Sequence, residues 1–235
     1  MNRRTRILIV LAAGIMAGIA ATFFPPVPQD PTYHHFADTR GYWWIPNFWN
    51  VMSNIGFLGV AIWGWLELGR RRLWVGIGLI YGVLFWGVFS TGLGSAYYHW
   101  SPDNDRLIWD RIPMTIVFMS LLTVVVIEWI NREAGFFLLG PLVALGVFSV
   151  LYWHYTEDLG HGDLRLYGWV QFFPALAIVL ILLMFGEKGR RAGVRSMVWV
   201  VVWYAVAKVL EHFDGSIYHA LGMSGHALKH VAAAV

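Results

Sequence analysis

Of 235 residues, 58% are apolar and only 13% are Asp, Glu, Lys or Arg, about half the charged share of an ordinary soluble domain, which excludes most soluble folds. Seventeen basic and fourteen acidic residues leave a net charge of +3, but the basic residues sit in short clusters between apolar runs, with no basic face for nucleic acid. Cysteine is absent, so disulfide frameworks, thiolate metal sites and cysteine nucleophiles are excluded together.

A helix crossing a hydrocarbon core about 30 Å thick needs roughly 20 mostly apolar residues. Seven such runs follow one another, at residues 7–24, 49–68, 73–98, 112–130, 136–155, 166–185 and 197–213; an eighth, at 224–235, is too short to span and polar at its start. Their continuous apolarity excludes barrel strands, which are about ten residues long and alternate. The expected fold is all-α, a polytopic transmembrane bundle of seven spans plus a short C-terminal helix. Within it, residues 1–24 read as an N-terminal transmembrane helix or signal-like anchor, 25–47 as an extracytoplasmic loop, and 48–235 as a helical core.

Orientation follows from Lys and Arg in the short loops. If every run spans, Arg3, Arg4, Arg6, Arg70, Arg71, Arg72, Arg132, Lys188, Arg190, Arg191 and Arg195 share one side, and only Arg40, Arg106, Arg111 and Arg165 face the other. The N-terminus is therefore expected inside.

Ionisable groups near membrane depth are costly, so each calls for a functional reading. Ser95 and His99, four apart at the end of the third run, share one helix face. Asp110 sits at the entry to the fourth run, just ahead of Pro113, a residue suited to a first helical turn. His226 and His230 open the last run at the i, i+4 spacing that lets two imidazoles face one metal ion. The predicted topology puts all three groups on the outer side, where they can meet.

Three neutral imidazoles with a fourth position open form the donor set of a catalytic zinc site, which makes His99, His226 and His230 the candidate ligands. Asp110 is placed to take a proton from an attacking water or orient it, and Ser95 to donate a hydrogen bond to a substrate carbonyl oxygen. Plainer readings stand beside these. A lone histidine at a helix end is ordinarily a hydrogen-bonded interface residue, Ser95 beside Gly94 suits small-residue packing, and Asp110 can pair with Arg111. Asn50, Ser53 and Asn54 form a polar stripe on the second run. Interhelical hydrogen bonds, worth about 1 kcal/mol each, are its first expected use, and support of a metal ligand from behind is its second. His34, His35, Asp38, His161 and Asp163 are expected as solvated loop residues. Glu211, His212 and Asp214 read as interfacial or as partners of the ligands, with the former slightly favoured.

In order along the chain, Phe48-Trp49-Asn50-Val51-Met52-Ser53-Asn54, Gly94-Ser95 with His99 four positions on, Asp110 with Pro113-Met114, and the pair His226 and His230 resemble the alkaline ceramidases. These belong to a wider superfamily of seven-helix membrane hydrolases that includes the adiponectin-receptor-like proteins. The resemblance covers residues 48–230 and implies a zinc-dependent membrane amidase that cleaves ceramide to a sphingoid base and a fatty acid. It further implies that His99, His226 and His230 hold the zinc, that Ser95 and Asp110 complete the site, and that the family's seven helices are the second to eighth runs. The first run is then an addition. The family's acidic calcium-binding stretch is not matched, and Asn47 stands where it has an acidic residue before Phe-Trp-Asn, which counts against calcium. Low eukaryotic character points to a bacterial homologue in the inner membrane with its site on the periplasmic side, and leaves the amide open between ceramide and a related N-acyl lipid. The expected partners are that lipid and the bilayer, with no nucleic acid. The competing class is a non-enzymatic lipid-sensing receptor or metal-handling protein on the same fold. A transporter should carry polar residues on through the bilayer, and the fourth to sixth runs offer few.

Overall fold

The computed structural model describes residues 1–186 and 191–235. Its helices are α1 (Arg3–Thr22), α2 (Phe48–Met52), α3 (Ile55–Arg70), α4 (Ile77–Trp100), α5 (Asn104–Val125), α6 (Arg132–Asp158), α7 (Arg165–Phe185), α8 (Arg191–His212), α9 (Asp214–Leu221) and α10 (Gly225–Ala234). A 3-10 turn at Pro31–His34 and a π-helical turn at Val126–Ile130 complete the regular structure, and no strand occurs among the described residues. Seven helical stretches are long and apolar enough to cross a membrane: Arg3–Thr22, Phe48–Arg70, Ile77–Trp100, Asn104–Ile130, Arg132–Asp158, Arg165–Phe185 and Gly193–His212. The chain is an integral, multi-pass membrane protein. Of the inner-loop basic residues, Lys188 and Arg190 lie outside the described residues.

Two features depart from the sequence expectation. The fourth span starts at Asn104, where Asp103 caps the helix by accepting from the Arg106 amide at 2.7 Å. Asp110 and Arg111 therefore sit inside the helix, and Pro113 lies well past its first turn. The second span is also broken rather than continuous. Asn54 donates to the carbonyl of Asn50 at 2.8 Å and Ser53 reaches the same oxygen at 3.3 Å, so short polar side chains compete with the backbone where α2 ends and α3 begins.

The described chain divides into two compact units. In the first, built from residues 1–29, 75–84 and 115–198, α1 lies against α7, and the Trp169 indole donates to the Gly14 carbonyl at 3.0 Å. Its core includes Trp153, Val150, Val170 and Ile181. Asp163 is buried there, contrary to its expected solvation, because Arg165 grips it with 2.7 and 2.8 Å bonds and spans to the Phe24 carbonyl at 2.6 Å. Hydrogen bonding from Arg165 holds the Asp163 carboxyl below the usual carboxylate range.

The second unit, residues 30–74, 85–114 and 199–235, contains every candidate site residue. Within it α4 and α5 approach closely at Gly94, where any Cβ would collide with the Trp109 carbonyl. Pro113 explains why that carbonyl is open to approach. It lacks the N–H that would bond the carbonyl four residues earlier, and that carbonyl belongs to Trp109.

Candidate active site

Helical spacing places Ser95 and His99 on one face of α4, both buried, with 2% and 1% of their surface exposed. His226 and His230 do the same on α10 and are also buried. The three imidazoles converge so that one nitrogen from each lies within 4.8 Å of the others. His99 Nε2 and His226 Nε2 stand 3.3 Å apart, and two lone pairs facing at that range need a proton or a cation between them. Ligands at about 2.0–2.1 Å from a tetrahedral zinc are separated by about 3.3 Å, so the spacing of this pair fits such an ion. His99 Nδ1 is buried with no hydrogen-bond partner. Phe36, itself buried, packs against the cluster, its ring 4.7 Å from that of His99 and 4.5 Å from that of His226.

His230 is oriented from behind. Its Nδ1 lies 2.8 Å from Ser53 Oγ, which is itself 3.3 Å from the Asn50 carbonyl. The serine has one proton, and giving it to the carbonyl makes the serine oxygen the acceptor of His230 Nδ1–H. That tautomer leaves the Nε2 lone pair for a metal. Ser95 faces Asp110, its hydroxyl interacting with the buried carboxylate. Asp110 is also within electrostatic reach of Lys229, the α10 residue between the paired histidines. Lys229 is bonded to Glu211, which takes Lys208 at 2.8 Å.

A closed circuit of bonds holds α10 in place. Ser224 caps its N-terminus, accepting from Ala227 N at 3.0 Å, and donates to Asn50 Oδ1 at 3.1 Å. Asn50 Nδ2 donates to the Asp38 carbonyl at 2.9 Å. Arg40 clamps the Asp38 carboxylate with 2.9 and 2.6 Å bonds and returns to the Gly222 carbonyl at 2.5 Å, two residues before the cap. Burial by itself would push the Asp38 carboxyl up, but the hydrogen bonds and charge of Arg40 outweigh it and hold the group below the usual carboxylate range. Asp214 adds a second tie, accepting from the backbone amides of His226 and Ala37, both at 2.9 Å. Asn47 donates to the His99 carbonyl at 2.9 Å.

Of the residues singled out for the site, the structure brings His99, His226 and His230 together, faces Ser95 with Asp110, and bonds Ser53 behind His230 with the Asn50 carbonyl behind Ser53. Asn54 is buried at the helix break and touches none of the histidines through a hydrogen bond. Asp38 is buried rather than solvated, and His34 is half-buried between Tyr98 at 2.9 Å and Asn104 at 3.1 Å. Phe36, and Arg40 and Asn47 as partners of the site, are not singled out by the sequence. The available signal was Asp38-Thr39-Arg40, in which an acid and a guanidinium two residues apart can clamp locally.

A seven-span helical membrane protein with a buried tri-imidazole cluster beside a serine and an aspartate is the class this geometry defines. The chain belongs to the ceramidase family, whose model, described as Ceramidase, matches residues 42–217. The matched stretch contains Ser95, His99 and Asp110 and ends before His226 and His230. No curated protein and no solved structure matches the chain. Membership places it among membrane hydrolases that act on the amide bond of ceramide.

Proposed function

We propose that the chain is a zinc-dependent amidase that hydrolyses the N-acyl bond of ceramide or a related lipid amide, releasing a fatty acid and a sphingoid base or other amine. The observation that carries this reading is the convergence of His99, His226 and His230 beside the facing pair Ser95 and Asp110. The imidazoles would hold the metal. A zinc ion so bound supplies a Lewis acid that acidifies water and polarises a carbonyl.

The remaining chemistry falls to the chain's own side chains. Asp110 accepts the proton of the attacking water and delivers it to the leaving amine nitrogen. Ser95 donates a hydrogen bond to the carbonyl oxygen as it gains charge. Ser53 keeps His230 in its ligating tautomer, and Phe36 keeps bulk water off two of the imidazoles. The apolar helix faces accommodate the lipid chains, with access from the bilayer. We place the site on the outer side, with the N-terminus inside, from the distribution of Lys and Arg, and take the membrane as a bacterial inner membrane from the chain's departures from the eukaryotic pattern.

The test is fatty-acid release from a panel of N-acyl lipids by purified protein, before and after chelation. Release should stop with metal removal and return with zinc. Release that continues unchanged after verified removal of the metal contradicts the reading.

A further inference from the structure

Residues Tyr42–Ile45 form a two-residue β-turn, closed by Tyr42 N to Ile45 O at 3.1 Å and Ile45 N to Tyr42 O at 2.9 Å. Its central residues are Trp43 and Trp44, with φ of 48° and 67°. That pair of positive angles is the pattern of a type I′ turn, which selects Asn-Gly because the left-handed region penalises a Cβ. Two tryptophans are among the least suited residues for it. Their side chains gain little from the protein interior in return, since Trp43 is 82% exposed and meets it only at the Phe48 ring, and Trp44 is fully exposed. A strained backbone that presents two bare indoles needs a ligand outside the described chain.

We propose that this turn is a membrane-interface anchor that seats Trp43 and Trp44 in the headgroup layer of the bilayer. Two observations, with the general preference of indole rings, select that occupant. The Trp43 ring lies 5.5 Å, and the Tyr42 ring 5.4 Å, from the ring of Phe48, the first residue of the span Phe48–Arg70. The polar layer on each face is roughly 5–8 Å deep, so a turn one aromatic ring away from the start of a span is within reach of it. Residues 41–49 carry no charge, and indoles favour this zone over both water and hydrocarbon. The anchor is also coupled to the site. Phe48 N donates to the Arg40 carbonyl at 2.9 Å, and Asn47 bonds the carbonyl of His99, so seating the turn fixes the depth of the histidine cluster. The inference rests on the membrane-spanning reading and is independent of the reaction the site performs.

The test compares the parent with Trp43→Asn/Trp44→Gly, reconstituted in phosphatidylcholine and phosphatidylglycerol vesicles. The parent-minus-variant difference in tryptophan emission isolates the two indoles. It should be lost in lipids brominated near the top of the acyl chain and withstand aqueous acrylamide. Quenching by acrylamide alone overturns the proposal, as does resistance to both quenchers, which would mean that protein or a second copy covers the turn. The variant carries the pair the turn prefers, so its melting temperature in detergent should equal or exceed the parent's. Should it fold poorly, Trp44→Cys in this cysteine-free chain carries a nitroxide whose depth is read by power saturation. Accessibility to oxygen over an aqueous nickel reagent supports the anchor, and the reverse order overturns it.

Discussion

Ser53 and His230 show how much of the proposed site depends on a single hydrogen bond. Ser53→Ala should leave the fold intact, because the residue sits at an existing helix break, yet free the His230 ring. Metal affinity should then fall about 10- to 100-fold, measured by competition with a zinc indicator, and unchanged affinity would mean that the serine does not set the tautomer. Arg40 makes a different prediction. Asp38, held below the ordinary carboxylate value by Arg40 against its burial, contributes stability that is present above about pH 4 and lost only as pH falls through its lower folded value. In Arg40→Met the guanidinium bonds and charge are gone and only the residue-40 amide, 3.1 Å from Asp38 Oδ1, still opposes burial, so that contribution shrinks. The variant's melting temperature should lie furthest below the parent's above about pH 4, with the gap narrowing as pH falls below that. A gap that does not change with pH would place Asp38 in water. Asp38 is not legible as a site residue because its link to the site runs through Asn50 to Ser224, far along the chain, whereas the pairings of Ser95 with His99 and His226 with His230 follow from helical spacing alone.

At the level of elements, the approach of α4 to α5 depends on a glycine and a proline acting together. Gly94→Ala puts a Cβ against the Trp109 carbonyl, backbone that cannot yield cheaply, and should cost about 3 kcal/mol, the upper end for overpacking. Amide hydrolysis should fall with it, since Ser95 and Asp110 are carried on the two helices that are pushed apart. Gly82→Ala on the same α4 meets nothing within 4 Å and should be neutral or stabilising by about 0.5–1 kcal/mol. Equal melting temperatures for the two variants would contradict the packing argument. The late start expected for the fourth span has a physical origin in the same region. Hydropathy finds the membrane-embedded part of a helix, while Asp103 and its cap to Arg106 set where the helix begins. The polar residues between cap and apolar run, Asp110 among them, therefore looked like loop.

Across the whole molecule, the seven spans are legible because long apolar runs dictate them, and the convergence of His99, His226 and His230 because helical spacing singles them out from the nine histidines. Each compact unit also carries an Asp-x-Arg clamp, Asp38 with Arg40 and Asp163 with Arg165, each gripping a distant backbone carbonyl. Neither was visible in composition, since both acids sit in loops that read as solvated. The proposed orientation is checked with single cysteines: Arg71→Cys should react with an impermeant maleimide only from the cytoplasmic side and His161→Cys only from the periplasmic side. The central claim is that the imidazole cluster holds a metal that the amidase reaction requires. Metal content per chain, measured together with fatty-acid release for the parent and for His99→Ala, His226→Ala and His230→Ala, tests it most directly. One zinc per parent chain, with metal and release lost together in all three variants that remain folded, is the predicted result; full release from a folded, metal-free His226→Ala protein would contradict it.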